Sequence, residues 1–587
     1  MTAARLRAAS PYAVYAAIAA WYCAPLFASP HGLGVYDWDQ HLFYYASVIK
    51  SVVAYRQLPF WNPWYCGGNV LWQNPQVPLL SPVFLLALVT SLPLAMKVNI
   101  ALHYWVGLAG MHRLLTGLFP GRSPVVTMGL SSSAVLSGAM AMHLAVGHSV
   151  FLPVLYLPWQ LHFLIRAIRT GSVRDAGYAA IPLALMIYNG ALHAVPMSVA
   201  GVGVFSVCAA VVRRRFRPVA IGLLVGVLGA SYAAPKLLPV TLFVSSDRFD
   251  DGRTTIAHPD AMSVGMLLRT YLDRYQDRSP QSPEQRSGWY EYGNYVGAVA
   301  GMLMLASMLV AFAVPGTEER WLGISLAVTG LVFLALSAGE FAAWAPASVA
   351  GHLPLFSSFR IPSRYTMAFV PFGVATIGWA WHAVGATATP GRAAVVLAST
   401  VAILAALDVG MQTRAQLFDV FSLPPLDRGV AAGGGTLTPP EVDASTRGSD
   451  PDSPMLRALT RNATLYNCYE SLRLRRTVAA GLPFLESDGR SRISNLRFSP
   501  NRAEFSAING AEPSEVRLSE NAAAGWTSNA GPVIADRRTG MHVTLQPGQA
   551  GKFVFRFSPP GLHAGLAIAI LALVASLAAR KRHLPEW

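Results

Sequence analysis

Apolar stretches of about 18 to 24 residues recur from residue 11 to residue 411 and once more near residue 570. Each is long enough to cross roughly 30 Å of hydrocarbon as a helix. They fall near 11–28, 97–112, 124–143, 149–166, 174–188, 190–212, 218–240, 294–314, 321–338, 364–386, 391–411 and 561–579, about twelve spans in all. A further apolar segment, 76–94, contains Pro78, Pro82 and Pro93. Proline interrupts helical hydrogen bonding, so this segment reads as re-entrant or interfacial. Beyond about residue 490 the period becomes two. Val516 and Leu518, Val543 and Leu545, and Phe553, Phe555 and Phe557 alternate with polar residues, and Ile493, Leu496 and Phe498 mark an earlier run. Turn residues such as Ser499-Pro500-Asn501 and Pro547-Gly548 separate these runs, the pattern of a small antiparallel β-sandwich. Residues 431–454 are rich in Gly, Pro, Ser and Asp and read as a loop. The expectation is a membrane all-α protein: a transmembrane domain over 1–411, a mixed or β domain over 412–560, and a last helix with a basic tail over 561–587.

Composition agrees with this pattern. The 587 residues are 53% hydrophobic and only 13% charged, against roughly a quarter charged in soluble domains. The net charge of +15 invites a nucleic-acid partner. Its placement argues against one. The cations sit in short loops, as in Arg213-Arg214-Arg215-Phe216-Arg217 and Arg580-Lys581-Arg582, where they orient membrane helices. Arginines near 113–122, 166–174 and 213–217 place those loops in the cytoplasm, together with Arg5, Arg7 and the tail. Both termini inside require an even number of crossings, which again makes 76–94 a non-crossing segment. Loop 1 (29–96), the loop 241–293, the short segment 352–363 and the domain 412–560 then lie outside. The run 11–28 lacks a clean cleavage site and reads as an uncleaved first span. None of the four cysteines forms a CxxC pair. Cys23 and Cys208 fall in spans, whereas Cys66 and Cys468 share the outer side, where a disulfide between them is compatible with the topology.

Loop 1 carries the densest chemistry. Gly34-Val35-Tyr36-Asp37-Trp38-Asp39-Gln40-His41 leads into a helix near 40–56 whose apolar positions Leu42, Tyr45, Ala46, Ile49, Val52 and Val53 share one face. Such a helix suits the interface plane. Its start would hold a carboxylate near a lipid phosphate. Leu58 to Gly68 and Gln73-Asn74-Pro75 follow as irregular chain rich in interfacial aromatics. Carboxylates here either take a proton from a sugar hydroxyl or bind a divalent cation. The structural alternative is that Asp39 caps the helix and Asp37 caps a turn.

Loop 1 resembles the bacterial YfhO-type membrane protein family, within the GT-C superfamily of lipid-sugar-dependent glycosyltransferases. The residues that carry the resemblance are Asp37 with Gln40, Leu58-Pro59-Phe60-Trp61-Asn62-Pro63, Gly67-Gly68 and Asn74-Pro75. Further matches are Leu237-Leu238-Pro239 with Ser246 and Arg248, Tyr295-Val296-Gly297, and Leu353-Pro354 with Phe359-Arg360-Ile361-Pro362-Ser363-Arg364. Tyr469-Glu470 and Gly525-Trp526 match more weakly. Asn189-Gly190-Ala191-Leu192-His193 departs from the expected Gly-His-Pro-like form.

The resemblance implies about twelve transmembrane helices of GT-C type, with an extracytoplasmic β-sandwich-like domain before the last helix, in the bacterial plasma (inner) membrane. It implies a hexosyl- or pentosyltransferase with a polyprenyl-phosphate-linked sugar as donor and a glycan, lipid or protein of the cell envelope as acceptor. Asp37 takes the place of the catalytic base, with Asp39 as the second carboxylate. Asp37-Trp38-Asp39 also resembles a metal-binding DxD, which leaves a divalent cation, Mg or Mn, open. The phosphate leaving group needs cations at the membrane face. Arg360 and Arg364 flank Pro362 directly before a span, and Arg248 and Lys236 are further candidates. The alternative for such cations is snorkelling to lipid headgroups. Gln40, His41, Trp61, Asn62, Asn74, His193, Glu291 and Tyr292 are candidate substrate-lining residues. His148 and His193 equally suit hydrogen-bonded packing, and the aromatics around Glu291 equally suit an interfacial belt. Two rivals remain: a transporter or flippase of lipid-linked sugars, and a non-catalytic envelope-assembly scaffold.

Overall fold

The computed structural model describes residues 3–118, 123–251, 261–276, 288–314, 319–353, 355–357, 359, 361–387, 391–431, 440–441, 453–465, 472–475, 483–536 and 540–585. Arg360, Cys468, Tyr469, Glu470 and most of the 431–454 loop lie outside these residues. The described chain is mostly helical, with a sheet region before the last helix. Among the described residues, six helices are long and apolar enough to cross a membrane: Pro124–Ala145, Ser149–Thr170, Ala194–Arg213, Arg320–Ser337, Pro362–Gly385 and Arg392–Leu417. This is fewer than the twelve spans expected. Ala298–Ala313 and Leu562–Ala578 are apolar but shorter. The expected span 218–240 is broken: Arg217–Tyr232 and Ala234–Val244 meet at 85°. Pro235, at the first turn of the second helix, accounts for the break, since it cannot donate to the preceding turn and its ring crowds the carbonyl four residues back; Pro239 lies inside Ala234–Val244 without ending it. Segment 76–94 contains one five-residue helix, Pro82–Leu86, before the long helix Leu92–Leu118 begins.

The loop-1 helix is Trp38–Val53. It is buried from Trp38 through Ser51. Its polar face is covered by a short helix from the C-terminal region, Pro454–Thr460. Asp39 accepts from the backbone N–H groups of Met455 (2.9 Å) and Leu456 (3.1 Å), and the Lys50 ammonium donates to the carbonyl of Leu459 (2.6 Å). The two helices therefore run in the same direction. A carboxylate sits at the covering helix's N-terminus and an ammonium near its C-terminus, the signs that the helix dipole favours. Burial pushes the Lys50 ammonium down to about 8.

The sandwich has two four-stranded antiparallel sheets. One orders Ile534–Asp536, Gly540–Leu545, Ser514–Leu518 and Leu485–Ser487; the other orders Trp526–Ser528, Ala550–Phe557, Arg502–Asn509 and Ser491–Ser499. The alternating apolar residues fill its interior, with Val516, Leu518, Val543, Leu545, Phe505, Phe555 and Phe557 buried. Leu496 departs from the expected inward position. A register shift between Ser494 and Arg497 turns it outward, to 37% exposure.

Loop 1 is stitched to this sandwich. The Trp61 ring packs on Trp526 (5.2 Å) and Phe557 (4.8 Å), and its Nε1 donates to Glu520 at 2.9 Å. Asn521 donates to the carbonyls of Cys66 (2.6 Å) and Gly68 (2.8 Å). Gly68 has φ +89°, and a Cβ there would lie 1.7 Å from a Glu520 carboxyl oxygen, so this junction requires glycine. Cys66 is disulfide-bonded, while Cys23 and Cys208 are free thiols.

Burial pushes the Glu520 carboxyl up to about 8, against the opposing pull of the Trp61 indole. A carboxyl with a raised native pKa stabilises fully below its ordinary range, and that contribution is lost as pH rises to about 8. The melting temperature should therefore fall between about pH 5 and pH 8, and Glu520→Gln should flatten that slope. Thermal unfolding of both proteins across this range checks it. An unchanged slope in the variant would show that Glu520 does not govern the junction.

Candidate functional site

Asp37 is the N-cap residue of the Trp38–Val53 helix, and its backbone N–H donates to the Val146 carbonyl at 3.1 Å. Its Oδ2 lies 3.1 Å from His148 Nε2. Gly147 makes this approach possible. Its φ is +99°, and a Cβ there would lie 2.3 Å from the backbone nitrogen of Trp38. His148 Nδ1 is 2.9 Å from His143 Nδ1, so one imidazole donates and the other accepts. His143 stacks on Phe151 with ring centres 4.1 Å apart, and Phe151 stacks on His193 at 4.9 Å. Nη1 of Arg364 donates to His193 Nε2 at 3.0 Å, which fixes that nitrogen as an acceptor. Arg364 closes the chain with two hydrogen bonds to Glu291, Nε to Oε2 at 2.7 Å and Nη2 to Oε1 at 2.5 Å. The guanidinium also lies 5.2 Å over the Phe151 ring.

This connected set has an outer end and an inner end. The Asp37 side chain keeps 25% exposure, whereas Arg364 keeps 11% and Glu291 4%. Tyr36, beside Asp37, is exposed and held at φ +55°. A non-glycine residue in that region is uncommon and clusters at functional sites. A partly exposed carboxylate held by an imidazole is suited to take a proton from a hydroxyl. His41 is buried beside it, its ring 6.5 Å from that of His148. Burial first, and the charge of His148 second, push His41 down to about 4 against the pull of Asp37, so His41 is neutral near pH 7.

The structure brings Asp37, His41, His193, Glu291 and Arg364 together and places the other candidates elsewhere. Gln40 donates to the Tyr44 hydroxyl at 2.6 Å. Asn62 accepts from the backbone of Trp64. Trp61 packs against the sandwich, away from the helical set. The Lys236 ammonium donates to the carbonyls of Trp72 (2.7 Å) and Asn74 (2.6 Å), tying loop 1 to the broken helix. Tyr292 packs with Trp289 among Met142, Met262 and Met266. Arg248 lines a separate cavity. Asp39 is not the cap of its own helix; it caps Pro454–Thr460. Asp37 and Asp39 also fail to converge as a DxD. They stand two residues apart at a helix start and so point to different sides, one to His148 and the other to Met455 and Leu456. Among the described residues, no group of three or more His, Cys, Asp and Glu has the arrangement of a metal site.

His143 and Phe151 were absent from the sequence reading, and His148 entered it only as a packing residue. The available signal was local: two histidines five residues apart, on either side of Gly147, at the break between two apolar stretches.

No protein-family model and no curated protein matches this chain. Among solved structures, it is similar to the cryo-EM structure of the arabinofuranosyltransferase AftD from Mycobacteria, at 15% identity and a TM-score of 0.43, over 69% of this chain. A mutant of the same protein aligns at 15% identity and a TM-score of 0.39, over 68% of this chain. The chain spans about a quarter of the length of these structures, 27% in each case.

Proposed function

We propose that this chain is an integral membrane glycosyltransferase of GT-C type that moves a sugar from a polyprenyl-phosphate donor to a cell-envelope acceptor on the non-cytoplasmic face. The observation that carries the reading is the partly exposed Asp37 carboxylate, 3.1 Å from His148, at the family-like position in loop 1. The disulfide at Cys66 supports an oxidising compartment for the same loop. The acceptor oxygen attacks the anomeric carbon, the bond from that carbon to the phosphate oxygen breaks, and polyprenyl phosphate leaves. Asp37 takes the acceptor's proton, with His148 fixing the carboxylate. Arg364 supplies the cation of the site, its charge shared between Glu291 and the incoming phosphate.

The direct test offers the purified protein synthetic polyprenyl-phosphate pentoses and hexoses with envelope glycans as acceptors. Release of polyprenyl phosphate together with a glycosylated acceptor is the expected result. Movement of an intact lipid-linked sugar across a proteoliposome bilayer, without cleavage, would overturn the reading in favour of a transporter.

A further inference from the structure

A cavity of about 220 Å³ opens where the Val70–Gln73 stretch of loop 1, the segment leaving Ala234–Val244 and the sandwich meet. Val70, Leu242, Phe243, Leu474 and Pro560 give it apolar walls, and Gln73, Ser246 and Arg248 are its polar groups. The Ser246 hydroxyl donates to the Phe243 carbonyl at 2.7 Å. Gln73 is only 3% exposed; its amide nitrogen reaches the Pro239 carbonyl at 3.4 Å, while its Oε1 has no hydrogen-bond partner among the described residues. A buried acceptor left unpaired is costly and calls for a donor. The side chain of Arg248 is 29% exposed. Among the described residues, its one ion pair is the 3.9 Å approach to Asp247, whose own side chain is 87% exposed. A guanidinium fork without close acceptors and an unpaired buried acceptor thus share one apolar cup.

The cup sits where an apolar helix begins. Ala234–Val244 turns 85° away from the apolar helix Arg217–Tyr232 and packs across the start of Leu562–Ala578. A Cβ on Gly565 would lie 2.4 Å from the Ala234 carbonyl oxygen. Pro560, in the cavity wall, immediately precedes this last helix. Ala234–Val244 leaves Leu242 and Val244 half exposed beside the cup, an apolar surface that lipid chains can cover.

We infer that this cavity holds the headgroup of an anionic phospholipid that carries hydroxyls. The phosphate pairs with Arg248, a headgroup hydroxyl donates to Gln73 Oε1, and the acyl chains leave past Leu242. Arg248 suits the phosphate because its planar fork matches two phosphate oxygens. The apolar walls disfavour a free phosphate, which would lose water on those sides without a partner. None of the cavity residues belongs to the set running from Asp37 to Glu291, and the inference does not rest on the catalytic reading.

The test is native mass spectrometry of the full chain with phosphatidylglycerol, with phosphatidylmethanol, which is anionic but lacks hydroxyls, and with phosphatidylcholine. Phosphatidylglycerol should bind about tenfold more tightly than either. Arg248→Ala should erase its advantage over phosphatidylcholine. Arg248→Lys keeps the charge and should retain part of that advantage, which separates lost binding from lost folding. Gln73→Leu should erase the advantage over phosphatidylmethanol alone. Asp37→Asn should change none of these, so the result stands whether or not the chain proves to be a glycosyltransferase. Equal binding of the three lipids, or unchanged preference in Arg248→Ala, would overturn the inference. Displacement of phosphatidylglycerol by millimolar inorganic phosphate would make the cavity a simple anion site. Stronger displacement by polyprenyl phosphate would make it part of the donor's path. Either displacement would overturn the assignment as well.

Discussion

Asp37→Asn should remain folded, bind the lipid-linked donor and turn it over about 10²- to 10⁴-fold more slowly, the range for a lost general base. Asparagine keeps the shape of the side chain, and the Asp37 side chain makes no cap hydrogen bond that could be lost. The backbone bond from residue 37 to the Val146 carbonyl is untouched. What disappears is the carboxylate that faces His148 and takes the acceptor's proton. Asp39→Asn makes the contrast. Asp39 uses both carboxyl oxygens, one for Met455 and one for Leu456, and asparagine offers one oxygen in their place. That loss should cost about 0.5–2 kcal/mol of local stability, the range for a weakened cap, with most of the activity kept. Thermal unfolding and donor turnover of the two purified variants decide between them. An active Asp37→Asn beside a dead but folded Asp39→Asn would reverse the assignment. Two active variants would remove the carboxylate mechanism and favour the transporter or the scaffold.

That contrast also shows how far the sequence reaches. The helix start after Asp37 was legible because its signals lie close in sequence, whereas the place of Asp37 as candidate base came from the resemblance. The partner of Asp39 was not legible, because Met455 stands 416 residues away and no local pattern announces it. The same holds for the loop-1 helix. Its apolar spacing predicts the helix, but the cover on its polar face comes from Pro454–Thr460, which no local pattern announces. The sandwich was readable because a period of two is a local signal, and Leu496 was misplaced only where a bulge shifts the register. The prolines of 76–94 pointed to an interrupted segment, whereas the break before Pro235 was missed because the surrounding apolar run concealed it. Glu291 and Arg364 were each identified, yet as separate sugar and phosphate ligands. Their pairing across 73 residues became visible only in the fold.

That pairing sets the second large effect. Arg364→Ala would leave the Glu291 carboxylate, 4% exposed, without its two charge-assisted hydrogen bonds. Removing one partner of a buried pair typically costs about 3–5 kcal/mol, because the remaining charge has no compensation. The single variant should therefore unfold at a markedly lower temperature and lose activity for that reason alone. Adding Glu291→Gln should recover much of the stability, since no uncompensated charge remains, and a double-mutant cycle measures the coupling. The rescued double variant then isolates the catalytic question. If Arg364 meets the donor's phosphate, the stable double variant should still bind polyprenyl phosphate more weakly by about 1.5–3 kcal/mol, the range for a hydrogen bond to a charged group. Recovery of both stability and donor affinity would confine Arg364 to holding Glu291 and His193 in place. The phosphate would then need another cation, and Arg360, four residues earlier in the same motif, is the next to replace.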